Sequence, residues 1–209
     1  MINVLIVEDQ KMVRSLLERY IEKEDGYRLI DSVSSALKSI EICDIKPVDI
    51  IFMDVLTEHG ENGLTAVEKI KQKHPNIKII VVTSLIDYDV LKRAKLSGAD
   101  SLWYKDSEEE ELMKIVRKTV AGENIFPDLP PVTEIGTAKS TEFTKTERIV
   151  LHYLVKGLSY RSIAEEMGIE VTTVKYHVTN MLQKTNLKNK LQLALAVSET
   201  KFITNLSDD

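Results

Sequence analysis

Residues 50–55 read IIFMDV, an unbroken apolar run that stops on a carboxylate, Asp54. A strand with one face in water alternates apolar and polar residues. A continuous apolar run instead describes a strand covered on both faces, with its polar chemistry at its carboxyl end. KIIVVTS, residues 78–84, has the same form and closes on Thr83. Outward from these two, β-branched runs recur at Ile2 to Val7, Arg28 to Val33, Ile50 to Asp54, Lys78 to Thr83 and Ser101 to Tyr104. Between them Val13, Leu16, Leu17, Tyr20 and Ile21, and then Leu64, Val67 and Ile70, fall at helical spacing. Strands alternating with helices predict an α/β fold, an open five-stranded parallel sheet with right-handed crossovers and ligands beyond the strands' carboxyl ends.

The last helix of this unit is expected from Glu108 to Ala121, with Ser107 as its N-cap, an acidic first turn and Gly122 as its stop. Residues 1–122 therefore form one domain. Residues 123–143 carry three prolines and several Ser and Thr without a period, and read as a linker. From Thr144 the pattern is helical without strands: Thr144 to Lys156, Ser159 to Met167, Thr172 to Thr185 and Lys190 to Lys201. Residues 144–209 are thus a small all-α, four-helix domain, with LSDD as a frayed tail.

The formal net charge is −5, which taken alone argues against a nucleic-acid partner. The average conceals an asymmetry. Thr144 to Leu206 hold nine Lys or Arg against five Asp or Glu, while most of the acid lies in the first 143 residues. A basic module behind an acidic one suits a chain of which only one half meets phosphate. No run of about 18 apolar residues is present, so no membrane span is expected. The N-terminus lacks the features of a secretory signal, and Cys43 stands alone; both fit a cytoplasmic location.

Glu8 and Asp9 follow the first strand and Asp54 ends the third. If these strands are neighbours, three carboxylates converge on one edge of the sheet, where like charges repel unless a proton or a cation joins them. An all-oxygen cluster suits Mg²⁺. Asp54 is then a candidate nucleophile toward a phosphoryl group. Thr83 and Lys105, closing the fourth strand and following the fifth, bring a hydroxyl and an ammonium to the same edge, where each can bind a phosphoryl oxygen.

With these residues in place, residues 1–122 resemble the receiver domain of two-component response regulators, which implies a flavodoxin-like five-stranded sheet. The resemblance implies that Asp54 is the phospho-acceptor, Asp9 a direct Mg²⁺ ligand, Glu8 a ligand through water, the backbone carbonyl of Leu56 a further ligand, Thr83 the switch hydroxyl and Lys105 the phosphoryl-binding lysine. The chain also departs from that family. VLTEHGENG follows Asp54 in place of the usual Met-Pro pair and reaches Gly63 about one residue late. Leu102 stands where an aromatic residue commonly moves on activation, leaving Trp103 or Tyr104 as substitutes. Leu56 and Leu85 fill the two positions that tune loss of the phosphoryl group, and apolar side chains there position attacking water poorly, so intrinsic dephosphorylation is expected to be slow.

In the C-terminal domain Ile163, Ala164 and Met167 form the inner face of one helix, and Val174, Val178, Met181 and Leu182 that of the next, joined by a turn at Gly168. This is helix-turn-helix spacing. Thr172, Thr173, Lys175, Tyr176, Thr179, Asn180 and Gln183 point outward from the second helix, all able to hydrogen-bond and none acidic, as a major groove requires. ThrLysThrGlu at Thr144, LysGlyLeuSer at Lys156, IleAlaGlu at Ile163 and ThrValLysTyrHis at Thr173 make the module similar to LuxR/NarL-type DNA-binding domains. The resemblance implies that Lys175 and Tyr176 enter the groove, that Thr179 stands where some members carry a basic residue, that Thr173, His177 and Lys184 meet phosphate, and that the last helix dimerises through Leu193 and Val197. His177 equally suits local packing.

Together these readings predict a transcription regulator rather than an enzyme. A sensor histidine kinase phosphorylates Asp54 and the chain then binds double-stranded promoter DNA as a homodimer. One alternative retains DNA binding but makes the receiver independent of phosphorylation. A phosphohydrolase with Asp54 as nucleophile is disfavoured because its second acid would stand at Leu56, and an RNA-binding antiterminator is disfavoured by the helix-turn-helix.

Overall fold

The computed structural model describes residues 1–86, 88–105, 108–200 and 202, with Tyr88 described by its backbone. Met1–Ser84 with Tyr88–Leu129 form one compact unit, and Pro130 onward belongs to a second. In the first unit β1 (Ile2–Val7), α1 (Lys11–Lys23), β2 (Tyr27–Val33), α2 (Ala36–Ile45), β3 (Ile50–Asp54), α3 (Gly63–Lys73), β4 (Lys78–Thr83), α4 (Tyr88–Leu96), β5 (Ser101–Tyr104) and α5 (Glu109–Val120) alternate as the apolar runs predict. The five strands are parallel in the order β2-β1-β3-β4-β5. Every residue of β3 and β5 is buried, which is why neither alternates in sequence. On one face Val4, Ile6, Phe52, Ile80, Val82 and Trp103 pack against Leu17 and Ile21 of α1 and Leu112 and Val116 of α5.

The order reverses direction at β1, so a crevice opens between the carboxyl ends of β1 and β3, the usual ligand position in such sheets. Glu8 and Asp9 leave β1 there and Asp54 ends β3.

Two expectations in this region need correction. The cap position of α5 is Glu108, whose side chain makes no cap hydrogen bond; Ser107 lies outside the described residues. Residues 123–143 are also more structured than their composition suggests. Ile125 adds to the edge of the sheet beside Ser101, its carbonyl accepting from the Leu102 N–H at 2.9 Å. β6 (Glu134–Ile135) and β7 (Ala138–Lys139) form an antiparallel hairpin, and a 3-10 turn follows at Ser140–Glu142. Ile135, Ala138 and Phe143 are buried in the core of the second unit. Two short strands of two residues each carry no readable alternation, so the segment passes for linker in sequence.

The second unit continues with α6 (Lys145–Val155), α7 (Tyr160–Met167), α8 (Val171–Thr185) and α9 (Lys190–Glu199). Thr144 caps α6 in a box with Glu147, and the Ser159 hydroxyl accepts from the Ser162 N–H to start α7. The core joins Val150, Leu151 and Leu154 of α6, Ile163 and Ala164 of α7, Val174, Val178 and Met181 of α8, and Leu193 and Val197 of α9. Residues 203–209, with the closing LSDD, lie outside the described residues. Among the described residues no helix is long and apolar enough to cross a membrane.

Candidate functional site

The β1 and β3 ends bring Glu8, Asp9 and Asp54 together with candidate ligand oxygens within 4.8 Å of one another. Glu8 is fully buried and Asp54 nearly so, whereas Asp9 is exposed. Local bonds fix Glu8: its N–H donates to the Val33 carbonyl, its carboxylate accepts from the Gln10 N–H at 3.0 Å, and the Arg14 guanidinium donates to its main-chain carbonyl at 2.6 Å. The Lys105 ammonium sits between the two buried acids, 2.6 Å from Glu8 Oε2 and 2.7 Å from Asp54 Oδ2. The Lys105 backbone N–H donates to the Thr83 carbonyl at 2.9 Å, which ties the lysine to the end of β4. Thr83 is fully buried and stands one residue beyond Val82, the register partner of Asp54. All five predicted residues thus lie at one sheet edge.

One ammonium does not balance two buried carboxylates with a third nearby. Burial, then the charge of Asp54, push Glu8 up to about 7 against the pull of Lys105. Burial likewise raises Asp54, with Lys105 opposing it. A charge deficit among oxygen donors is the environment a divalent hard cation relieves, so the residues fit Mg²⁺. Leu56 is compatible with a backbone ligand. It pairs with Asn62 through flanking bonds, Gly63 N–H to the Val55 carbonyl and Thr57 N–H to the Glu61 carbonyl, so its own carbonyl takes no part in that pairing.

The departures from the familiar sequence pattern acquire a structural account. The loop after Asp54 folds as a short 3-10 turn with His59 at φ +60°, then enters α3 at Gly63. A Cβ on Gly63 would fall on the Asp54 carbonyl oxygen, so this helix start is a place of close backbone approach. The loop is also clamped to α2. The Glu61 carboxylate accepts from Ser35 Oγ at 2.8 Å and the Leu37 N–H at 3.1 Å, and Thr57 Oγ1 accepts from the Ala36 N–H at 3.2 Å. No sequence motif pointed to this clamp; its one signal is an acid placed late in a loop opposite a Ser cap. Trp103 packs in the core beneath α1 and α5, on the face opposite Leu102, which removes it as a substitute for an aromatic at Leu102. Tyr104 shares the Leu102 face and pairs in register with Thr83.

In the second unit Lys175, Tyr176, Thr179 and Gln183 are exposed along α8, with Thr173 and His177 half-buried beside them. The Tyr176 and His177 rings meet edge-on at 5.7 Å, and Thr179 Oγ1 donates to the Lys175 carbonyl, which commits part of its hydrogen-bonding capacity. Lys184 does not join this face. Its ammonium contacts both Glu147 carboxylate oxygens at 2.8 and 2.9 Å and donates to the Glu142 carbonyl at 3.0 Å, so it is a structural lysine rather than a phosphate ligand. Leu193 and Val197 also belong elsewhere than expected: both are fully buried in the core, whereas Leu191 and Leu195 are 65% and 54% exposed. Residues two apart on a helix point in nearly opposite directions, and the apolar run LQLALAV hides which of its faces is inward.

The response regulator receiver domain family matches residues 4–117, and the bacterial regulatory proteins of the luxR family match residues 141–197. The chain belongs to the response regulators, with a receiver domain and a luxR-type DNA-binding domain. Response regulator protein VraR of Staphylococcus saprophyticus is 31% identical over 97% of this chain and 99% of its own length; VraR of Staphylococcus epidermidis is 32% identical with the same coverage. Among solved structures, one of two RcsB dimers bound to two parallel DNAs aligns with a TM-score of 0.62 at 17% identity, over 94% of this chain and 98% of RcsB. Salmonella typhimurium RcsB aligns at 0.57 and 17%, over 95% and 100% of the two chains. At these identities the structures speak to fold alone.

Proposed function

We propose that this response regulator receives a phosphoryl group on Asp54 from a sensor histidine kinase and then binds promoter DNA as a dimer, in the cytoplasm, acting as a transcription regulator and not as an enzyme with turnover. The observation that carries the reading is the Glu8, Asp9, Asp54 and Lys105 cluster at one sheet edge, in the same chain as an exposed polar recognition helix. Asp9, Asp54 and the Leu56 carbonyl would hold Mg²⁺ directly and Glu8 through water. When bound, the ion neutralises charge on the phosphoryl oxygens. An Asp54 carboxylate oxygen forms the new O–P bond while the N–P bond of phosphohistidine breaks and the imidazole leaves. Lys105 exchanges its contact with the Asp54 carboxylate for a phosphoryl oxygen, and the Thr83 hydroxyl donates to another. With Leu56 and Leu85 apolar, hydrolysis of the acyl phosphate is slow.

On the DNA side Lys175 and Tyr176 reach the major groove, Thr173 and His177 meet backbone phosphate, and Thr179 contributes at its margin. The RcsB dimers on DNA support a dimeric binding mode by analogy of fold. α9 offers Leu191 and Leu195 for self-association. Leu102, apolar where the activation aromatic is expected, favours one further reading, a receiver that dimerises without phosphorylation. Intact-mass measurement after incubation with Mg²⁺ and a small phosphoryl donor separates the two. One phosphoryl group on the wild type and none on Asp54→Asn supports the first, and an unmodified wild type rejects it.

A further inference from the structure

The hairpin of β6 and β7 precedes the residues that match the luxR family, yet it is built into the DNA-binding unit. Ile135 and Ala138 are buried in its core, and the Ser140 N–H donates to the Thr133 carbonyl at 2.8 Å, with Ser140 Oγ accepting from the Thr133 N–H. The tip meets the end of α8. The Thr137 N–H donates to the Thr185 carbonyl at 3.0 Å, and Thr137 Oγ1 donates to the Lys184 carbonyl at 3.0 Å. The last four carbonyls of a helix have no partner within it, and here two of them are met by chain that lies more than forty residues upstream. Gly136 sits at φ +60°, and a Cβ on it would strike the Thr185 carbonyl, so the approach requires glycine. The Lys184 side chain adds a second tie to the same region through Glu142 and Glu147.

We propose that the Gly136–Thr137 tip is a positioning element for DNA recognition, holding the C-terminal end of α8 so that its exposed N-terminal half meets the groove at a fixed angle. This rests on the DNA-binding reading above. A rise of about 1.5 Å per residue puts Thr185 about 13 Å along the axis from Tyr176, so the tip lies well away from the two residues proposed to enter the groove. The tip acts through the helix, which moves as a rigid rod. Loss of the tie lets the last turn fray and the rod tilt, and base-edge hydrogen bonds, steep in distance and angle, weaken more than contacts to the uniform phosphate backbone.

The test uses the full chain as wild type, Gly136→Ala, Thr137→Ala and Thr137→Ser. Amide exchange is read across α8 and α6. Affinity is read for a duplex selected by the wild type from a randomised pool and for an unselected duplex of equal length. Gly136→Ala is expected to speed exchange in the last turn of α8 by about five- to tenfold, the scale of a lost helix cap. Val150 and Leu151 in α6 keep their exchange rates. The selected-to-unselected affinity ratio falls several-fold, Thr137→Ala shows a smaller loss of both kinds, and Thr137→Ser restores them. Unchanged exchange and ratio in Gly136→Ala overturn the proposal. So does acceleration across the whole unit with both duplexes losing affinity alike, because that is general destabilisation. If the wild type selects no duplex, the DNA reading fails, and the exchange arm still decides whether the tip holds α8.

Discussion

Glu8 and Asp54 are buried acids that share one ammonium, and this imbalance makes the acid cluster sensitive to pH in the absence of divalent ions. Glu8 is raised from 4.5 to about 7 by burial and then by Asp54. An acid whose folded pKa lies above its unfolded value favours folding at low pH, and the favour is lost as pH rises from the unfolded to the folded value. Denaturant unfolding without Mg²⁺ is therefore expected to lose on the order of 1 to 3 kcal/mol between about pH 5 and pH 7.5. Glu8→Gln should flatten this slope, and a wild type with stability constant across that window would contradict the site's electrostatics. Lys184 and Lys175 make a second contrast between residues of one type. Lys184 neutralises Glu147, a nearly buried acid that burial alone would raise but that Lys184 and the Thr144 cap hold below its ordinary value. Lys184→Met should thus lower the melting temperature of the second unit at neutral pH, with a cost of about 2 kcal/mol, and leave the salt dependence of DNA binding unchanged. Lys175→Ala should leave stability alone, weaken binding to a preferred duplex by about 1 to 3 kcal/mol and relax the base preference at the position it meets.

At the scale of elements, the Glu61 and Thr57 clamp ties the loop after Asp54 to the first turn of α2. The Glu61 carboxylate is subject to desolvation, yet the α2 N–H groups and the Ser35 and Thr57 hydroxyls hold it below its ordinary value. Its contribution is present above the unfolded carboxylate pKa and is lost toward acid. Glu61→Ala should cost about 1 kcal/mol at neutral pH and speed amide exchange at Leu37; no change in either would show the clamp to be idle. On α9, Leu195→Lys should abolish the phosphorylation-dependent rise in mass, read by light scattering, while the fold survives, whereas Leu193→Lys should unfold the second unit. The strands, helices and acid cluster were legible because buried parallel strands leave continuous apolar runs and because Glu8, Asp9, Asp54, Thr83 and Lys105 stand at their ends. The inward face of α9 was not, since alternating Leu and Ala look alike from both sides. Neither were the hairpin at Glu134–Lys139 and the Lys184 pairing, because each depends on partners distant in sequence that no local pattern announces.

At the scale of the whole molecule, an acidic receiver domain and a DNA-binding unit whose residues 144–206 are basic are joined through a segment with Pro127, Pro130 and Pro131. Its two ends are anchored, Ile125 on the edge of β5 and Gly136–Thr137 on α8. The stretch free of such bonds is therefore shorter than composition suggests, and prolines stiffen it. In the function proposed above, chemistry at Asp54 in the first unit governs DNA binding by the second. The most direct measurement compares duplex affinity and oligomeric mass for wild type and Asp54→Ala, with Mg²⁺ and a small phosphoryl donor present or omitted. The donor is expected to raise both in the wild type alone; equal binding and equal mass in all four conditions would contradict control through Asp54.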